Sequence, residues 1–258
     1  MNIDLCYHPS MKPGLSEKKN SNSEIKCLSC LARANSFCKC IAQDKLNDFS
    51  KISSQKKFKD GSHIFLQGEK NDYFYNLVKG NVKIFKVFDD GRVQIVGFLY
   101  PGDFFGLHSS KSFSYTAECI GEVTCCIFNH KDLDSYLDKN IELAKHLLHM
   151  TTNELTLMQD RVAVIGRLSA RERIINFFLN ISSQRKRIGW QDNPIVLPMT
   201  RNEMADYLGL TVETVSREIT KLKSEQIIKM IDSKQVFLNN KPLLESELSN
   251  NSTAYQAI

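Results

Sequence analysis

No apolar run in this 258-residue chain approaches the roughly 18 residues needed to cross a bilayer. The opening MNIDLCYHPSMKPG, which carries Asp4, has no apolar stretch of signal-peptide length either. A cytoplasmic protein with no membrane partner is therefore expected. Charge of neither sign dominates: 34 Lys and Arg stand against 29 Asp and Glu, a net +5 that is only a weak pull toward an acidic partner such as DNA. The excess does not mark a surface, because residues 185–234 hold nine basic against seven acidic side chains, while residues 12–60 hold eleven against five. What the chain does not lack is cysteine, with eight in all and four of them in CLSCLARANSFCKC at 27–40. A reducing compartment argues against a disulfide framework and leaves metal or redox chemistry for the clustered thiols. A second CxxC is absent, so the paired knuckles usual for structural zinc are not present, and no strand-helix-strand pattern of the kind that carries a catalytic CxxC surrounds Cys27. Zinc, a thiol redox switch and a thiol oxidoreductase are the weaker alternatives.

Eight of the twelve glycines fall between residues 61 and 121, among short β-branched and aromatic runs. That is the pattern of many short strands in an antiparallel barrel or jelly roll. FDDGR at 88–92, between VKIFKV and VQIVGFLY, predicts a hairpin, since Asp and Gly accept the positive φ that tight turns demand. After HKDL the period changes. Ile141, Ala144, Leu148, Thr151, Leu155, Met158, Val162 and Ile165 recur at alternating spacings of three and four, a seam on one long helix expected to pack against a copy of itself, although a helix lying along its own domain would read the same. Leu143, Leu147 and Met150 give that helix a second apolar face toward the barrel. Beyond Gly166, SARERIINFFLNISSQ reads as helical and is followed by a polar stretch. In LPMTRNEMADYLGLTVETVSREITKLKSEQIIKMIDSKQVFL, Thr200 caps a short helix with Glu203 completing a capping box, Gly209 ends it and Thr211 opens the next. Two helices so joined form a helix-turn-helix, and IIKMIDSKQVFL supplies two strands and a polar turn as a wing. The second helix of such a motif enters the major groove by its N-terminal residues, which makes Thr211, Val212, Glu213, Ser216 and Arg217 candidate DNA contacts. Arg pairs bidentately with guanine O6 and N7, Glu accepts from cytosine N4, and Ser can do either.

The stretch MTRNEMADYLGLTVETVSREITKL resembles the recognition motif of the fumarate and nitrate reductase regulator (FNR) branch of the CRP/FNR superfamily of bacterial transcription regulators. GFLYPGDFFG is similar to the superfamily's barrel signature, and the resemblance runs from about Cys27 to Leu244. It implies an α+β fold: an N-terminal antiparallel β-barrel of the cyclic-nucleotide-binding type, a long dimerisation helix and a C-terminal winged helix-turn-helix. The expected boundaries are a tail at 1–26, cysteine segment and barrel at 27–136, dimer helix at 137–166, winged domain at 167–248 and a second tail at 249–258. The resemblance further implies a regulator rather than an enzyme, a homodimer on a palindrome with half-sites like TTGAT, read by Glu213, Ser216 and Arg217. RNA polymerase would be met near Asp89–Arg92 and Ser183–Asn193. A cyclic nucleotide is not expected, because LHSSKSFSYTAECI after Gly106 has neither a Glu for a ribose nor an Arg for a phosphate.

In place of a nucleotide, the resemblance implies a [4Fe-4S] cluster that senses oxygen, held by Cys27, Cys30 and Cys38, in the branch's spacing of CxxC, seven residues, then Cys, together with one barrel cysteine. Alternation along VTCCIF puts Val123, Cys125 and Ile127 on one apolar face and Thr124, Cys126 and Phe128 on the other. Cys126 is thus the thiol directed outward, and aligning the family on HKDL reaches the same residue. Cys6 and Cys40 are expected to be spare thiols, and Cys119 has no assigned role. One position departs from the family's best-known member, which carries an acidic residue where Met158 stands; an apolar side chain there should strengthen the seam even without a cluster.

Overall fold

In the computed structural model, residues 27–107 and 110–249 are described. The expected tail at 1–26, and with it Cys6, lies outside them, as does nearly all of the tail at 249–258. The cysteine segment forms three 3-10 turns, Arg33–Asn35, Phe37–Cys40 and Gln43–Lys45, and leads into a short helix α1 (Leu46–Lys51). Six strands follow: β1 (Ser53–Phe58), β2 (His63–Phe65), β3 (Tyr73–Val87), β4 (Val93–Leu99), β5 (Phe104–Phe105) and β6 (Thr116–Asn129). They make one antiparallel sheet of order β1-β6-β3-β4, with β2 added to β6 and β5 to β3.

The FDDGR turn forms as expected: Phe88 N donates to Arg92 O at 2.9 Å, and Gly91 takes a φ of 80°. The barrel, however, does not close, since β1 and β4 end the sheet with no ladder between them among the described residues. Side chains seal the interior instead. Phe65 stacks on Phe113 at 3.7 Å and Tyr75 on Phe105 at 5.2 Å, filling the space between the curled halves with rings. The curl comes from β3 and β6, whose pairing shifts register around Gly80. There φ is +88° and a Cβ would lie 2.4 Å from Glu122 O, so only glycine lets the two backbones pass.

A helix α2 (His130–Lys139) is followed by the long α3 (Ile141–Arg167). Leu143 and Leu147 are buried, whereas Leu148, Leu155 and Val162 are 68%, 58% and 73% exposed, so the two expected faces of α3 are distinct. The C-terminal part comprises α4 (Ala170–Arg187), β7 (Ile195–Val196), α5 (Arg201–Leu208), α6 (Val212–Ser224), β8 (Ile228–Met230), β9 (Gln235–Leu238) and α7 (Lys241–Ser249). The helix α4 runs a little further into the polar stretch than its apolar residues indicate, ending on Arg185, Lys186 and Arg187, which complement its C-terminal dipole. Strands β7, β9 and β8 form the wing sheet. Its core joins Ile174 and Phe178 of α4 to Ile195, Val215, Leu222 and Val236. None of the described helices is long and apolar enough to cross a membrane.

Candidate metal centre and nucleic-acid interface

Strand β6 is buried on both faces, and this positions the cysteines. Cys125 points into the sheet interior with Leu77, Val123 and Cys119, and burial pushes its thiol well above the ordinary range. Cys126 points the opposite way, as alternation requires. That face is not open to solvent, which corrects the expectation of an outward thiol: the cysteine segment, α1, α2 and the start of α3 cover it. The cover is pinned by Phe37, fully buried and edge-on to Phe49, Phe74 and Phe128 at ring distances of 6.0, 5.2 and 5.6 Å. Ser36, beside it, caps the following turn by accepting from Cys38 N at 3.3 Å.

The consequence is that Cys27, Cys30, Cys38 and Cys126, 99 residues apart in sequence at the extremes, line one small cavity. Desolvation is the largest influence on Cys38 and raises its thiol strongly, opposed by the Ser36 hydrogen bond and reinforced by the nearby Cys126, Cys27 and Cys30 sulfurs. Burial and Cys30 likewise raise Cys27, with Arg33 pulling the other way. Three polar side chains in the lining escape sequence reasoning: Arg33, Gln55 and Asn76. Gln55 and Asn76 are the cross-strand partners of Cys126 on β1 and β3, and Gln55 Nε2 donates to Cys126 Sγ at 3.7 Å. Only strand register could have found them. Two polar atoms in this lining, Arg33 Nε and Asn76 Oδ1, are buried without a hydrogen-bond partner.

The donor set is thus four soft thiols with no carboxylate or imidazole, suited to iron-sulfur or thiophilic metal chemistry once deprotonated. Among the described residues no three His, Cys, Asp or Glu side chains gather at the spacing of a single metal ion. Cys40 departs from the expected spare thiol, being disulfide-bonded.

The second site forms as its caps predict. Thr200 and Glu203 complete the capping box of α5, Gly209 ends it with a φ of 63°, and Thr211 accepts from Thr214 N to open α6. Thr211, Glu213, Ser216 and Arg217 are exposed along the first turns of α6, whereas Val212 is half-buried against the domain core. Behind them Glu218 is buried, with Lys221 Nζ at 2.9 Å and Arg217 Nε at 3.6 Å. In the wing, Asp232 Oδ1 accepts from Lys234 N and Gln235 N and shapes the turn.

Helix α5 also rests on the N-terminal sheet, a contact the sequence does not announce. Ile95 N donates to Asp206 Oδ2 at 3.0 Å, and Gln94 Nε2 donates to Asp206 O at 2.7 Å. Lys83 Nζ bridges Glu118 and Glu203 at 3.0 and 2.7 Å. From α3, Arg161 stacks on the Tyr207 ring at 3.8 Å and donates to Val96 O.

Comparison with known proteins matches both halves of the chain. The family model described as "Cyclic nucleotide-binding domain" matches residues 55–140, and "Crp-like helix-turn-helix domain" matches residues 172–247. The nitrogen fixation regulation protein FixK of Bradyrhizobium diazoefficiens is 33% identical over 205 residues, covering 80% of this chain and 86% of its own length. The transcriptional activator protein FnrL of Cereibacter sphaeroides is 29% identical over 231 residues, covering 88% and 93%. Among solved structures, FixK2 from Bradyrhizobium japonicum is similar with a TM-score of 0.71 at 31% identity, over 80% of this chain and all of that one.

Proposed function

The chain belongs to the CRP/FNR family of transcription regulators, and is thus a DNA-binding regulator; from this premise we propose that it senses oxygen through a [4Fe-4S] cluster held by Cys27, Cys30, Cys38 and Cys126. The observation that carries the proposal is the cavity itself: four thiols, three from one loop and one from β6, around a common space with no carboxylate or imidazole in its lining. When bound, such a cluster supplies oxygen-labile, redox-active iron held by thiolates. A zinc ion would instead draw all four sulfurs to about 2.3 Å of one centre.

The chain's own residues give the signal a route. The Phe37–Cys40 turn shares one core with Leu143 and Leu147 of α3, so a change in how Cys38 is held alters the packing beneath the helix. On its far side α3 presents Leu148, Thr151, Leu155, Met158, Val162 and Ile165 to solvent, with Ala144 half-buried at the seam's start. We assign these residues to a homodimer interface, biased by the state of the cysteine turn. The dimer in turn sets two α6 helices on the half-sites of a palindrome, where Thr211, Glu213, Ser216 and Arg217 meet base edges and Val212 supports them from the core. The Asp89–Arg92 hairpin, exposed throughout, is the surface offered to RNA polymerase.

Iron and acid-labile sulfide measured on protein purified without air test this reading. Wild type and Cys125→Ala should carry both, and Cys126→Ser should be depleted, since an alkoxide is a hard donor poorly matched to iron-sulfur chemistry. Full loading of Cys126→Ser with loss in Cys125→Ala would move the fourth ligand to the other face of β6. Zinc without iron or sulfide in the wild type would remove the sensor reading altogether.

A further inference from the structure

Arg33 stands between Cys30 and Cys38 and opens the first 3-10 turn of the cysteine segment. A guanidinium presents five N–H donors and no acceptor. One end is used: Nη2 donates to Ile41 O at 2.5 Å and ties the turn to the chain beyond Cys40. The other is not. Nε is buried with no acceptor, in a side chain that lines the four-thiol cavity, and among the described residues no carboxylate forms an ion pair with Arg33. A buried N–H without a partner costs roughly 1–3 kcal/mol, and a charged donor more. A cationic group left in that state beside four thiols is matched by an anionic acceptor in the cavity. Thiolates around a bound cluster are such an acceptor, because four of them exceed the positive charge of the iron-sulfur core and leave the site net negative.

We propose that Arg33 is a positioning and charge-balancing residue for the metal-loaded site, donating its Nε hydrogen to a sulfur there. This rests on the cluster reading above. Two consequences follow from simple electrostatics. Adding an electron to the site makes it more negative, so a nearby cation and N–H donor favour the reduced form and raise the potential. Removing them lowers the potential, makes the site easier to oxidise and hastens its loss in air.

The experiment uses the full chain, reconstituted anaerobically, as wild type, Arg33→Gln, Arg33→Lys and Lys39→Gln; the last removes an exposed cation from the same segment. Circular dichroism of each establishes folding. Iron and sulfide content, the midpoint potential and the rate of bleaching in air are then read. Arg33→Gln should load iron and sulfide, show a lowered potential and bleach roughly ten-fold faster, the scale of other losses of support around metal ligands. Arg33→Lys, which keeps the charge and loses the fork, should fall between it and wild type, and Lys39→Gln should match wild type. Arg33→Gln with wild-type potential and bleaching overturns the proposal. So does failure of both Arg33 variants to load in a folded chain, which would leave the residue a loop-shaping role through Ile41 alone. If wild type takes up no iron and sulfide, the cluster reading itself has failed, and that result is distinct from either.

Discussion

Glu218 decides how Arg217 stands. It is buried under the exposed turn of α6 and accepts from Lys221, while Arg217 Nε lies at 3.6 Å, so the arginine is steered by a fixed carboxylate and its side chain remains 63% exposed. A pre-set fork suits bidentate pairing with one guanine. Arg217→Ala should therefore cost about 1–3 kcal/mol on half-sites containing that guanine and little on those lacking it, whereas Lys221→Ala should weaken every sequence alike and lower the salt slope by about one. Binding titrations on a half-site series at several salt concentrations distinguish them; equal losses on all sequences for Arg217→Ala would deny it base reading. At this scale the sequence was most legible where chemistry is local. The caps at Thr200, Glu203, Gly209 and Thr211 act within three or four residues of themselves, and all are found as read. Arg33, Gln55 and Asn76 were not legible, because their importance is conferred by a cavity assembled from residues 27 to 128.

Among elements, the long pair β3 and β6 and the helix α3 carry most of the architecture. Gly80→Ala forces a Cβ onto the Glu122 carbonyl at a φ of +88°, and strain of about 1–3 kcal/mol plus the clash should appear as a clear drop in the urea midpoint. Gly61→Ala, with the same sign of φ and open space around it, should lose less. Similar losses at both positions would mean that backbone conformation alone sets the cost. On α3, Leu155→Glu places like charges opposite one another at the centre of the proposed seam. Sedimentation should find monomer at concentrations where wild type is dimeric, with the sheet's spectroscopic signature unchanged; an intact dimer would send the interface elsewhere. The two faces of α3 were readable because period is a property of the helix alone. The open edge of the sheet was not, since alternation and glycine spacing report strands but say nothing of whether the first meets the last. Nor was the cover over Cys126: CLSCLARANSFCKC has no helical period, and its order comes from Phe37 entering a ring cluster built by other elements.

In the whole molecule, the winged domain is held to the N-terminal sheet through α5, and one part of that contact titrates. Burial alone would raise Glu203, but hydrogen bonds from Lys83 and from Thr200 outweigh it and bring the carboxyl below its ordinary value of 4.5. A carboxylate depressed in the folded state contributes stability that is present above the ordinary value and is lost as pH falls through the depressed one. Acid should therefore loosen α5 from the sheet before the individual domains unfold. Hydrogen exchange of Ile95, whose amide donates to Asp206 on α5, should accelerate as pH drops below about 4.5 relative to amides buried within either domain, after correction for intrinsic rates. In Lys83→Met that dependence should flatten; an unchanged profile would remove Lys83 and Glu203 from the contact's energetics.

Helix α3 touches the floor of the cysteine turn through Leu143 and Leu147 and, about five turns later, Tyr207 of the helix-turn-helix through Arg161. A rod engaged at both ends has no privileged direction. If the proposed cluster strengthens the grip on DNA by some factor, bound DNA must by thermodynamic reciprocity strengthen the affinity for the cluster by the same factor. On the cluster reading proposed above, protein seated on its operator would hold its cluster more tightly at equilibrium than protein free in solution, so that one supply of iron and sulfide would fill the two populations to different extents.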